Sequence, residues 1–89
     1  MRVAIIGCGL IGMKRMKALS SSDKLIAVCD KKINKIKKNV SYPNVKFFSS
    51  HRSLLKMKKI EIVIIAVENY QSCQIVIDSL NSQKHVLCE

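Results

Sequence analysis

Eighty-nine residues, 48% of them apolar, supply the core of one small globular domain and no second one. The longest uninterrupted apolar run, 62–67, falls far short of the roughly 18 residues that cross a bilayer, and the N-terminus lacks the apolar core and cleavage site of a signal peptide, so no membrane association and a cytoplasmic location are expected. Sixteen basic against six acidic residues give a net charge of +10, but the lysines are spread from Lys14 to Lys84 and only 4% of residues are aromatic; solvated helix faces explain them more simply than nucleic acid does.

The first predicted strand is 2–6, a short apolar run bounded by Gly7. A helix over 10–19 follows, starting at Gly9 or Leu10, with Leu10, Met13 and Leu19 facing inward and residues 20–23 as its polar exit. A second strand, 24–30, leads to a helix over 31–40 that turns Ile33, Ile36 and Val40 away from its lysines. After the turn signal Tyr42-Pro43-Asn44 comes a third strand, 45–48, then a short helix over 52–57 that Ser49 or Ser50 can cap. The fourth strand, 60–67, is apolar at every position but Glu61. In the helix over 70–82, Cys73, Val76, Ile77 and Leu80 fall at i, i+3, i+4 and i+7, which predicts one inward stripe. The fifth strand is 85–88. Strands that are apolar on both faces belong to a parallel sheet covered by helices on both sides. Right-handed crossovers then make the chain a doubly wound α/β (Rossmann) open sheet of about five strands, order 3-2-1-4-5.

Cys8, Cys29, Cys73 and Cys88 are dispersed in apolar sequence with no Cys-x-x-Cys pair, so they are read as reduced and mostly buried. His85 and Cys88 point to opposite faces of a strand, which argues against a metal site. Surface or structural roles are expected for His51 and His85.

All three glycines fall in one window, Gly7-Cys8-Gly9-Leu10-Ile11-Gly12, between a predicted strand and a predicted helix. This is the G-x-G-x-x-G dinucleotide fingerprint in its required context. Gly7 permits the tight turn, Gly9 lets backbone approach a diphosphate, and Gly12 allows close packing of helix on strand. The free N–H groups of Leu10 and Ile11 and the helix dipole favour the phosphates. Asp30 lies 18 residues beyond Gly12, at the end of the second strand, where a carboxylate accepts from the adenosine ribose hydroxyls; the competing role is a helix cap. Asp30 favours NAD, whereas Lys31 and Lys32 beside it could neutralise the 2′-phosphate of NADP.

With these elements placed, the chain resembles the N-terminal part of the Gfo/Idh/MocA oxidoreductases over its whole length. The resemblance is carried by V-A-I-I-G-C-G-L-I-G ending at Gly12, A-V-C-D ending at Asp30, I-E-I-V-I-I-A-V-E-N ending at Asn69, and K-H-V-L-C-E ending at Glu89. It implies that Ala66 and Val67 line the cofactor, Asn69 shapes the loop and Glu89 reaches the nicotinamide ribose. It also implies that the family's catalytic Lys would come next after Glu89. Residues 1–89 are then a dinucleotide-binding domain cut before that Lys, without the substrate domain, holding no catalytic residue and inactive alone. Glu68 stands where the family commonly has Pro, Ser72 where it has His, and Gln83 where it has Gly.

The expected function is the NAD(P)-binding portion of an enzyme moving a hydride between the nicotinamide and a hydroxyl or carbonyl on a sugar, sugar nucleotide or cyclitol. A non-catalytic NAD(P)-binding sensing or interaction module and a small polyanion-binding protein are the alternatives. Apolar surface left uncovered points further to self-association.

Overall fold

The computed structural model describes residues 1–89, apart from the side chain of residue 69. Its elements are β1 (Arg2–Ile6), α1 (Leu10–Lys17), β2 (Lys24–Cys29), α2 (Ile33–Ile36) running on into a 3-10 turn (Lys37–Asn39), β3 (Lys46–Phe48), α3 (His51–Leu55), β4 (Ile62–Ile65), α4 (Asn69–Asn81) and β5 (His85–Cys88). The strands form one sheet in the order β3-β2-β1-β4-β5. Every neighbouring pair is parallel. This is the doubly wound arrangement, and it brings all the carboxyl ends of the strands to one edge.

The uniformly apolar strands are explained by burial on both faces. Along β1, Ala4 and Ile6 join one core with Leu54, Val63, Ile65 and Ile75, while Val3 and Ile5 join another with Met16, Val28, Ile33 and Ile64. β1 is the centre of the sheet, and its last four residues are essentially excluded from water. Burial of this kind contributes about 1.5–3 kcal/mol for each large aliphatic side chain.

Two helix faces differ from expectation. In α1, Leu10 is 75% exposed, and the inward residues are Gly12 and Met16, with Met13 and Leu19 partly covered. Leu10 opens the helix at the sheet's edge, where nothing lies beneath it. In α4, Ile75 and Ser79 are buried, whereas Cys73, Ile77 and Leu80 are exposed; of the predicted stripe only Val76 packs on the core. The helical period was right but its phase was not. One flank of α4 meets α3, through the contact of Asp78 with His51, and the other overhangs the edge strand β5. The helix rotates to place Ile75 over the sheet, and Ser79 donates to the Ile75 carbonyl at 2.7 Å, so its buried hydroxyl is satisfied.

Cys8 and Cys29 are buried, but Cys73 and Cys88 are exposed, so only half the cysteines follow the expected pattern; all four are free. The helix expected over 31–40 is realised as the short α2 and its 3-10 turn, with Ile33 and Val40 buried. Ser50 takes the N-cap position of α3 without a side-chain hydrogen bond. Gln83, at the position where the family commonly has Gly, has φ +61°, the left-handed conformation that glycine adopts more readily. Next to it, buried Lys84 donates to the Met57 carbonyl at 2.8 Å, tying the α4–β5 turn to the α3–β4 loop; its burial lowers the ammonium pKa.

Candidate cofactor site

At the carboxyl edge of the sheet the chain leaves β1 through Gly7, whose φ of +92° reverses its direction. A Cβ at Gly7 would lie 2.6 Å from the Ala66 carbonyl oxygen and 2.9 Å from Val67 Cγ1, and one at Gly12 would lie 1.9 Å from the Gly7 carbonyl oxygen. Both glycines are therefore required by the fold itself. Gly9 is different. It has φ −73° and ψ −161°, ordinary extended backbone, and a Cβ there would meet nothing within 4 Å. It is exposed and opens onto a cleft of about 620 Å3.

Gly9 is also the N-cap of α1, so no side chain caps that helix and its first turn holds no acidic residue. The amides of Leu10 and Ile11 thus sit at the positive end of the helix dipole with no intrahelical partner. The first bond of the ladder runs from the Met13 N–H to the Gly9 carbonyl, 2.9 Å.

The end of β2 holds the loop from the other side. Asp30 Oδ2 accepts from the Cys8 N–H at 2.9 Å, and Oδ1 accepts from the Lys32 N–H at 2.8 Å. A carboxylate has about four acceptor positions, so roughly two remain for hydroxyl donors. Asp30 thus braces both the glycine turn and the chain leading into α2, but it does not cap that helix as the competing reading had it: the N-cap is Lys32, with no side-chain cap bond. Burial is the main cause that pushes the Cys8 thiol up to about 12, with the Asp30 charge next, and burial likewise raises Cys29 to about 11. Both thiols stay protonated at neutral pH and are inert as nucleophiles.

Of the residues singled out from sequence, Gly7, Gly9, Asp30, Lys31, Ala66 and Val67 line the cleft. Gly12 lies behind the wall, packed on Gly7. Leu10 and Ile11 project into solvent and do not line the cleft. Glu89 lies off the cleft lining; its carboxylate pairs with Arg15 of α1 at 2.6 Å, and its N–H donates to Ile65 at 2.9 Å. The side chain of Asn69 lies outside the described residues; its backbone opens α4, and Glu68 is the N-cap.

Ser49, Ser50, His51 and Gln71 also line the cleft; the sequence reading gave Ser49, Ser50 and His51 only capping, surface or structural roles and Gln71 none. The missed signal was topological: β3 ends at the same edge as β1, β2 and β4, so its trailing loop faces the same ligand space. His51 is held there by Asp78 of α4, Nε2 to Oδ2 at 2.8 Å. Among the described residues no group of three or more His, Cys, Asp or Glu could hold a metal ion. No helix of the described residues is long and apolar enough to cross a membrane.

A model of the oxidoreductase family with NAD-binding Rossmann fold, Gfo/Idh/MocA, matches residues 1–89. The chain belongs to the Gfo/Idh/MocA oxidoreductase family. It is the NAD-binding Rossmann domain of that family, as its glycine loop and Asp30 had indicated. Among curated relatives, an uncharacterized oxidoreductase of Schizosaccharomyces pombe is 29% identical over 94 residues, covering 99% of this chain and 26% of the relative. Two solved structures superpose on 99% of the chain and 27% of their own length. They are a scyllo-inositol dehydrogenase of Lactobacillus casei with bound NAD(H) and scyllo-inositol (TM-score 0.85, 20% identity) and a myo-inositol 2-dehydrogenase of Lactobacillus plantarum (0.86, 22%). The chain therefore spans about a quarter of the length of these Gfo/Idh/MocA relatives.

The residues present fit the cofactor. Gly7 and Gly12 are explained by internal packing, whereas Gly9 is under no packing constraint and faces the open cleft beside an uncapped helix start, which leaves room for a diphosphate against the backbone.

Proposed function

We propose that this chain is the cofactor-holding part of an oxidoreductase that moves a hydride between NAD and a hydroxyl-bearing carbon of a sugar, sugar nucleotide or cyclitol. The observation that carries the reading is Gly9, free of any packing constraint, at an uncapped helix start beside the Asp30 carboxylate. The inositol dehydrogenases superposed above support the cyclitol end of the substrate range.

In this reading the amides of Leu10 and Ile11 bind the diphosphate, and Gly9 lets it approach the backbone closely. Asp30 accepts from the adenosine ribose hydroxyls while its bond to the Cys8 N–H fixes the turn. Its negative charge disfavours a 2′-phosphate, so NAD is the preferred form, with NADP admitted only as far as Lys31 and Lys32 offset that charge. Ala66, Val67 and Asn69 border the nicotinamide side, and Glu89 reaches the nicotinamide ribose once its pairing with Arg15 loosens. The bound nicotinamide supplies the hydride chemistry; the protein supplies binding, orientation and electrostatics. Residues 1–89 act as the dinucleotide-binding domain; in the whole enzyme the proton-transfer Lys would follow Glu89 and the substrate pocket would come from a separate domain.

Titration of NADH fluorescence against the chain tests the reading. Saturable binding is expected, and either Gly9→Val or Asp30→Arg abolishes it. Because a Gly9 side chain meets only open space, Gly9→Val leaves the thermal midpoint within a few degrees, as for a surface substitution worth about ±0.5 kcal/mol. Undiminished NADH binding by the folded Gly9→Val chain would contradict the reading.

A further inference from the structure

Lysines that look scattered in the sequence converge at the amino-terminal edge of the sheet, opposite the glycine loop. Arg2 and Lys24 open β1 and β2 and are direct partners in the ladder, and Lys46 opens the next strand, β3. Lys58 and Lys59 arrive on the loop that leads into β4. These five cations line one open cleft of about 690 Å3 together with Ile26, Asn44 and Met57, and no acidic residue lines it. The two carboxylates at this edge are already engaged. Asp23 pairs with the Met1 ammonium at 3.1 Å, and Glu61 accepts from the Arg2 N–H at 2.8 Å and lies 3.4 Å from its Nε. Among the described residues, no ion pair involves Lys24, Lys46, Lys58 or Lys59.

Four unpaired ammonium groups around one concavity repel one another, and a multiply charged anion relieves that repulsion. The size is that of a small-molecule site, about 300–1,000 Å3. No aromatic ring lines it, so the stacking platform on which single-stranded nucleic acid depends is missing. We propose that this edge is a second binding site, for a small molecule carrying several phosphate groups, with Ile26 and Met57 contacting its uncharged part.

Calorimetric titration with inorganic tripolyphosphate tests it on the intact chain, with and without saturating NADH. One equivalent is expected to bind in both conditions. Lys58→Glu with Lys59→Glu, both exposed, should weaken binding about tenfold or more, since a charge-assisted contact is worth at least that factor. Lys46→Ala is the milder second variant, with a smaller loss in the same direction. Lys35→Glu with Lys38→Glu makes the same change in net charge away from the cleft and should bind tripolyphosphate nearly as the parent does. Equal weakening by the two double variants would reduce the effect to net charge and overturn the proposal, as would no binding, or tripolyphosphate displaced by NADH. Tighter binding of a 20-nucleotide single-stranded DNA, lost in the Lys58 and Lys59 variant, would overturn it in favour of nucleic acid.

Discussion

Gly7, Gly9 and Gly12 sit in different surroundings, and packing within the chain accounts for only two of them. Gly7 needs its positive φ, Gly12 sits against a carbonyl oxygen, and Gly9 faces open space. The spacing alone points to dinucleotide binding; telling the three positions apart needs coordinates, because the same six-residue pattern is compatible with packing at all of them. The nearness of Asp30 to the loop was legible from its spacing, but its bond to the Cys8 N–H was not, since that depends on the register of β1 and β2. Gln83 stands where the family commonly has Gly, and the structure shows what that exchange costs. A non-glycine residue at φ +61° is strained by about 1–2 kcal/mol, partly offset by the greater chain entropy that glycine loses on folding. Gln83→Gly is expected to stabilise the chain by about 0.5–1 kcal/mol and raise its melting temperature by a few degrees in a thermal scan. A lower melting temperature would mean that the Gln83 side chain makes a compensating contact.

At the scale of elements, the strands were the most legible, because runs apolar on both faces admit few alternatives to a covered parallel sheet. Helix phase was less so. The apolar residues of α4 offer two lines at helical spacing, Cys73–Ile77–Leu80 and Ile75–Ser79, and the more hydrophobic line is the one left outside. The choice is made by neighbours: α3 lies against one flank, and β5 is the last strand of the sheet. Serine at an inward position disguised the true line, because its hydroxyl is satisfied within the helix. Ile75→Ala is therefore expected to cost about 2–5 kcal/mol, a large part of a small domain's stability, while Ile77→Ala costs less than about 1 kcal/mol. Denaturant melts of the two variants check this, and equal losses would return α4 to the phase read from the sequence.

Over the whole molecule, the sheet sorts functions by its polarity: the carboxyl edge presents the glycine loop, Asp30 and the ends of β3 and β4, and the amino edge gathers Arg2 and four lysines. The first was readable because its residues lie close in sequence or at a known spacing. The second was not, because three of its cations come from separate strands that only the topology aligns. Within the layer that α3 and α4 share, Asp78 joins the two helices; hydrogen bonds from His51 and then Gln74 hold its carboxyl below the usual carboxylate range. A lowered folded-state pKa contributes stability that is complete above about pH 5 and is lost as the pH falls through the ordinary value toward the lowered one. Asp78→Asn should accordingly flatten the acid limb of the stability profile in urea melts, leaving the slope above neutrality unchanged. A variant whose acid limb matches that of the parent would show that Asp78 does not anchor α3.

The cofactor site itself is tested most directly by amide chemical-shift mapping of the 15N-labelled chain during titration with NAD. The largest shifts are expected at Gly7, Gly9, Leu10 and Ile11, at Asp30 to Lys32, and at Ala66 and Val67, with Lys58 and Lys59 unmoved. Shifts confined to the lysine edge, or none at the glycine loop at saturating NAD, would contradict the assignment of this loop as the dinucleotide site.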